Sequence, residues 1–264
     1  MAKSSGSLAK KSWRWLMKRS RWLGVISLLL PLIGWELAAR FSGLPAFMLP
    51  SPGQVMFRFG DVLVDGSLLR NTSYTLLEVL LGLGLGSGLA TITGYALARS
   101  PLLERMLSPY LVASQAVPVV AIAPLLVIWF GPGLFSKVLI CALIVFFPVL
   151  VNTVVGVRAV PQSLRDLMQS MRATHIQVLR YLEIPAALPV MLGGLRIGAT
   201  LSVIGAVVGE FVGSDRGLGF MVNVGRGRYD TALVFVAIVT LIWLALALYG
   251  IVVLLEKRLL RWES

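Results

Sequence analysis

The stretch RAVPQSLRDLMQSMRATHIQVLRYLEIPAALP, from Arg158 to Pro189, holds acidic and basic residues, a histidine and three prolines, with long apolar runs on both sides. Hydrocarbon cannot solvate such a segment, so within a membrane protein it must project from the bilayer as structured polypeptide. A folded loop projecting from a bundle of spans is suited to taking instruction from a soluble partner.

Working outward, the composition agrees with a membrane setting. The 264 residues are 57% hydrophobic and 14% charged, and the mean hydropathy of +0.86 lies far above that of a soluble domain. About 20 apolar residues cross a hydrocarbon core as a helix. Six runs qualify, at roughly 22–39, 74–97, 107–130, 134–152, 190–212 and 232–255. None alternates in the manner of barrel strands, so the expected class is all-α: a polytopic membrane protein with six transmembrane helices. Residues 1–21 form a basic tail, and 22–264 a single transmembrane domain. The first run carries Pro31 and Glu36, and Ala38-Ala39-Arg40 makes a poor cleavage site, so this run is expected to stay as a span. Trp13, Trp15 and Trp22 are expected to anchor the tail at the interface.

The net charge of +12 would suit nucleic acid, but its distribution follows topology. With the basic tail inside, the inner segments collect 17 of the 24 Lys and Arg residues, among them Arg99, Arg105, Arg158, Arg165, Arg172 and Arg180. The outer segments hold the remainder, including Arg40, Arg58, Lys137 and Arg216. Both termini are therefore expected to be cytoplasmic. The single cysteine, Cys141, excludes an intrachain disulfide and a multi-cysteine metal site, and it reads as a packing residue.

In the first outer segment, Ser51 before Pro52 predicts a helix start, with Val55, Phe59, Val62 and Leu63 on one face lying on the membrane surface. Gly82-Leu-Gly-Leu-Gly-Ser-Gly88 fails the dinucleotide-binding spacing. Its pairs Gly82/Gly86 and Gly84/Gly88 instead predict close helix approach, as do Gly194/Gly198, Gly205/Gly209 and Gly209/Gly213. Pro118 and Pro124 interrupt the third run. Kinked spans with a few polar groups suit either a lined cavity or ordinary packing, and Ser114, Gln115, Asn152 and Glu210 are the pathway candidates. Trp129, Phe146 and Phe147 could stack on a planar substrate, but their places at span ends suit belt or core.

Three acids fall in or near the spans. Glu36 and Glu78 are placed near an interface, whereas Glu210 is expected to face the bundle interior, paired or lining a pathway, with no second group evident at its depth. The twelve acids are scattered and the lone His175 has no nucleophile or metal set around it, so an enzyme is not indicated. A secondary transporter would show two repeated halves, and the first and last three spans do not match convincingly.

Within 158–189 the pattern predicts two helices. One is capped by Gln162 or Ser163 and runs to Met171. The other is capped by Thr174, runs to Glu183, and is ended by Pro185 and Pro189. Ile176, Leu179 and Leu182 form an apolar stripe, expected against the underside of the bundle, which leaves the first helix and the bend to face a partner.

This segment resembles the cytoplasmic signature loop of binding-protein-dependent ABC transporter permeases: Glu-Ala-Ala, three residues, Gly, then a helix ending in Pro. Counting back from Ile184-Pro-Ala-Ala-Leu-Pro189 places Asp166-Leu167-Met168 at the Glu-Ala-Ala position and Arg172 at the glycine, with Ala173 and Thr174 following. The arginine implies either a non-glycine backbone at the bend or an added basic contact. Leu49-Pro-Ser-Pro52, Ala123-Pro-Leu-Leu-Val-Ile-Trp-Phe-Gly131, Lys137, Phe146-Phe-Pro148, Gly194-Leu-Arg196 and Gly217-Leu-Gly219 resemble the nitrate/sulfonate/taurine type. Phe146–Thr153 and Ile204–Phe211 look most like permeases for riboflavin or hydroxypyrimidine thiamine precursors.

The resemblance implies the type I importer permease fold in a bacterial inner membrane, a second permease copy, a cytoplasmic ATPase dimer and an extracytoplasmic binding protein. Asp166, Leu167, Met168, Arg172 and Ala173 would contact the ATPase. No cofactor or metal is implied, and without a G-x-x-x-x-G-K-[ST] loop the chain has no phosphate cradle of its own, so ATP would be hydrolysed on another subunit.

Overall fold

The computed structural model describes residues 29–260. The basic tail and its tryptophans lie outside the described residues. The described chain is helical: α1 (29–41), α2 (Pro52–Val64), α3 (Ser67–Arg99), α4 (Pro101–Ala116), α5 (Val119–Phe130), α6 (Leu134–Arg158), α7 (Gln162–Ser170), α8 (His175–Val178), a π turn (Leu179–Glu183), α9 (Ile184–Gly213), α10 (Leu218–Gly227) and α11 (Thr231–Leu259). By length and composition, α3, α6, α11 and the continuous helix His175–Gly213 could each cross a membrane.

Glycine spacing determines the centre. Helix α6 lies between α3 and α9, with Cys141 pinched from both sides. A β-carbon at Gly82 would overlap the Cys141 side chain, and one at Gly205 would come within 2.8 Å of the Cys141 Cα. Such approach is open only to residues without a side chain. Gly86 meets Ala142 and Gly194 meets Asn152 in the same way, so Gly82/Gly86 and the α9 glycines behave as expected. Gly84 and Gly88 do not: open space faces both.

Around this core, α11 packs on α9 and α10, and α5 on α6 and α9. Trp35 of α1 stacks on Phe235 at 4.9 Å and donates its indole N–H to the Pro50 carbonyl at 3.0 Å. Helix α2 opens as expected, with Ser51 and Gln54 forming a reciprocal capping box and Pro52 in the first turn. It is not merely a surface helix. Val55 and Val62 are buried against Leu218, Leu233 and Val236, while Leu63 points outward.

Two expectations about proline need correction. In the third run the helix breaks at Pro118, which biases Val117 away from helical geometry, but α5 runs through Pro124. Pro185 and Pro189 do not end the loop helix. Pro185 comes just after the π turn and Pro189 lies further along α9, so both fall inside the continuous helix His175–Gly213. The π turn joins α8 to α9 without a break. Its extra residue rotates what precedes it by about 100°. Of the expected stripe, Leu179 and Leu182 are half-buried, whereas Ile176 is 74% exposed.

Candidate functional site

The loop between α6 and α9 presents its first helix outward. Helix α7 buries no residue; Leu167 and Met171 are exposed, Met168 is half-buried, and exposed Asp166 accepts a bond from Gln162 Nε2 at 2.9 Å. The helix closes in a Schellman motif. The Ala173 N–H donates to the Met168 carbonyl at 3.0 Å, and the Arg172 N–H donates to that of Gln169 at 2.9 Å. This closure needs a left-handed residue, and Arg172 supplies it at φ 55. The bend therefore keeps the backbone a glycine would give, and the exposed guanidinium is an addition to it. Thr174 then caps α8 in a box with Gln177, as its sequence predicts.

Beneath α7 lies a residue that the sequence pattern did not single out. Glu183 is 1% exposed. Its Oε2 accepts from the Tyr95 hydroxyl at 2.9 Å, and its Oε1 faces Arg99 at 3.2 Å and Arg165 at 3.5 Å. One carboxylate thus touches α3, α7 and the start of α9. It borders a cavity of about 260 Å³ lined mainly by apolar groups of Ile92, Val157, Ile184 and Met191. Placement next to Pro185 had marked Glu183 only as a helix end.

A second polar cluster sits at the far ends of these helices. Glu210 is fully buried: Thr75 donates its hydroxyl to Oε1 at 2.6 Å, and the Gly219 N–H donates to Oε2. The Leu218 N–H donates to Thr75 Oγ1 and the Gly217 N–H to Asn71 Oδ1, both at 2.8 Å, tying the α9–α10 turn to α3. Glu78 is also buried rather than reaching water, and Lys137, counted among the outer charges, is 4% exposed. Lys137 pairs with Glu78 at 3.4 Å and donates to Ser214 Oγ at 2.7 Å. Lys137 also packs against Gly209, the neighbour of Glu210, so the Lys137–Glu78 pair adjoins the Glu210 cluster. Beside the cluster, a cavity of about 300 Å³ is lined by Tyr74, Glu78, Lys137, Asp215 and Arg216.

The four pathway candidates are not brought together. Glu210 is sealed beneath the α9–α10 turn. Asn152 faces Gly194 and donates to the Pro148 carbonyl at 2.8 Å. Gln115 lines a separate groove between α4 and α6 with Glu104 and Val151, and the side chain of Ser114 lies outside the described set. Of the aromatic candidates, Trp129 is 67% exposed, and Phe146 and Phe147 pack edge to face at 5.2 Å.

Comparison with known proteins fits this architecture. The family described as "Binding-protein-dependent transport system inner membrane component" matches residues 82–261. The riboflavin transport system permease protein RibX of Chloroflexus aurantiacus is 48% identical over 251 residues, covering 94% of each chain. The formylaminopyrimidine transport permease protein ThiX of Halalkalibacterium halodurans is 37% identical, over 89% of this chain and 94% of its own. An inward-facing structure of the MetNI methionine ABC transporter shares the fold at TM-score 0.65 and 18% identity, covering 74% of this chain and 97% of that one. The chain belongs to the family of binding-protein-dependent inner-membrane transport components, and it is an ABC importer permease with membrane-spanning helices.

Proposed function

We propose that this chain forms the translocation pathway of an ATP-driven importer by alternating access, as one of two permease copies, and that it couples to a separate ATPase dimer through α7 and its bend. The observation that carries this reading is the outward face of α7. Leu167 and Met171 are exposed beside Asp166, on a helix that buries nothing of its own. An apolar patch with an adjacent carboxylate suits a partner groove bearing a basic rim. Asp166 supplies the charged contact, Leu167 and Met168 the apolar plug, and Arg172 and Ala173 the docking angle.

Both termini and the 158–189 loop are assigned to the cytoplasm, with an extracytoplasmic binding protein delivering solute to the other side. The substrate class we favour is a planar heteroaromatic such as riboflavin or a pyrimidine thiamine precursor, supported by the relatives named RibX and ThiX. Sulfonate, taurine or nitrate is the alternative.

The test is purification with co-expressed neighbouring subunits. An ATPase subunit should co-elute with the wild type, and Asp166→Lys should abolish uptake while leaving membrane insertion intact. Wild-type uptake by that variant would remove the coupling role, and ion-driven uptake by the isolated chain would favour a secondary transporter. The ligand retained by the partner binding protein identifies the solute.

A further inference from the structure

Among the described residues, Arg165 makes the polar side-chain contacts that tie α7 to the bundle. Among the described residues, the other polar side-chain contacts of α7 are internal, Gln162 to Asp166 and Ser170 to the Asp166 carbonyl. Arg165 reaches inward instead. Its Nη2 donates to the Val157 carbonyl at 2.8 Å, at the end of α6, and its Nε stands 3.5 Å from Glu183 Oε1.

That last contact is stretched. The Arg165 Nε and Glu183 Oε1 are both buried, and neither makes a hydrogen bond. Charge-assisted bonds of this type settle near 2.8 Å, so the pair is open by roughly 0.7 Å. Buried charged groups that face each other without bonding are better satisfied in a second arrangement close by. Glu183 also holds Tyr95 and Arg99 of α3 and stands at the entry to α9. A shift of α7 that closes the pair would therefore bear on the ends of both core helices.

We infer that Arg165 is a positioning residue for transport: it passes displacement of α7 through Glu183 to α3 and α9, and the stretched pair closes in one of the transporter's two states. This rests on α7 being the helix that docks the ATPase. It assigns separate tasks to neighbouring residues, with Asp166 and Leu167 holding the partner and Arg165 transmitting its movement.

The experiment uses the complete importer, with permease, ATPase and binding protein reconstituted in liposomes, and compares wild type with Arg165→Ala and Arg165→Lys. Three quantities are read: ATPase retained on the permease, ATP hydrolysed, and solute imported per ATP. Arg165→Ala should retain the ATPase and its hydrolysis while import per ATP falls about tenfold, the effect of losing one buried charged contact. Arg165→Lys keeps the charge and should recover part of the ratio, and it keeps the test open if the alanine variant is poorly produced. An unchanged ratio in either variant overturns the inference, as does a parallel fall in hydrolysis and import, which would mark a structural role. If Asp166→Lys with Leu167→Lys retains the ATPase fully, the docking assignment fails instead, independently of the Arg165 result.

Discussion

Gly217 lies directly against Glu210, so that a β-carbon at Gly217 would overlap the buried carboxylate. Gly217 also has φ 106, a conformation that side chains oppose on their own account. Gly217→Ala combines strain with overpacking and should cost roughly 3 kcal/mol. The check is thermal unfolding of the purified permease in detergent. A midpoint at the wild-type value would mean that Glu210 is not sealed by this turn.

Lys137 is the cation buried with Glu78 and Glu210. Removing one member of a buried ionic group leaves uncompensated charge, at about 3–5 kcal/mol. Lys137→Met should therefore lower stability sharply, and adding Glu78→Gln should restore much of the loss. A double-mutant cycle on unfolding midpoints measures this coupling. Additive effects would show that the two residues do not share one electrostatic site.

The bend after α7 makes a different demand. Arg172 holds φ 55, which costs a side-chain-bearing residue about 1 kcal/mol. Arg172→Gly should leave the bend as stable or slightly more so, whereas Arg172→Val, branched at its β-carbon, should loosen it. Hydrogen exchange at the Ala173 amide, which bonds to the Met168 carbonyl, reports this directly. Faster exchange in the glycine variant than in the valine variant would contradict the Schellman geometry.

At the loop-side ends of α4 and α6, Arg158 donates to both carboxylate oxygens of Glu104, at 2.8 and 2.5 Å. These hydrogen bonds hold the Glu104 carboxyl below the ordinary carboxylate range. A depressed folded-state value means that the contact contributes fully above the unfolded pKa and is lost as pH falls through the folded one. The effect is small because the pair is solvent-exposed. Protection factors for the first turn of α4 should fall in the acid range in the wild type and remain flat in Glu104→Gln. Equal acid sensitivity in both would assign the effect to another group.

How much of this was legible in the sequence depended on whether the signal was local. Ser51 and Thr174 read as caps because a cap needs only its own side chain and the residue three places on, and both form capping boxes. The apolar runs likewise marked the long helices. Contacts between helices were not encoded in that local way. Lys137 and Glu78 read as separate charges because a separation of 59 positions in sequence hides a 3.4 Å contact. Glu183 read as a helix end because Pro185 follows, and nothing local announces a π turn that aims an acid inward.

The glycines test this distinction between local and tertiary signal. Gly84 and Gly205 both sit in apolar helices with glycine four residues away, yet their surroundings are opposite. A β-carbon at Gly84 meets open space, whereas one at Gly205 meets the Cys141 backbone, which cannot rotate aside. Gly84→Ala should then be neutral or stabilising by up to about 1 kcal/mol, because alanine is the better helix former. Gly205→Ala should force α6 and α9 apart at a cost of about 1–3 kcal/mol. Unfolding midpoints of the two variants, measured side by side, carry the comparison. Equal effects would mean that glycine spacing alone, and not the α6–α9 contact at Cys141, governs these positions.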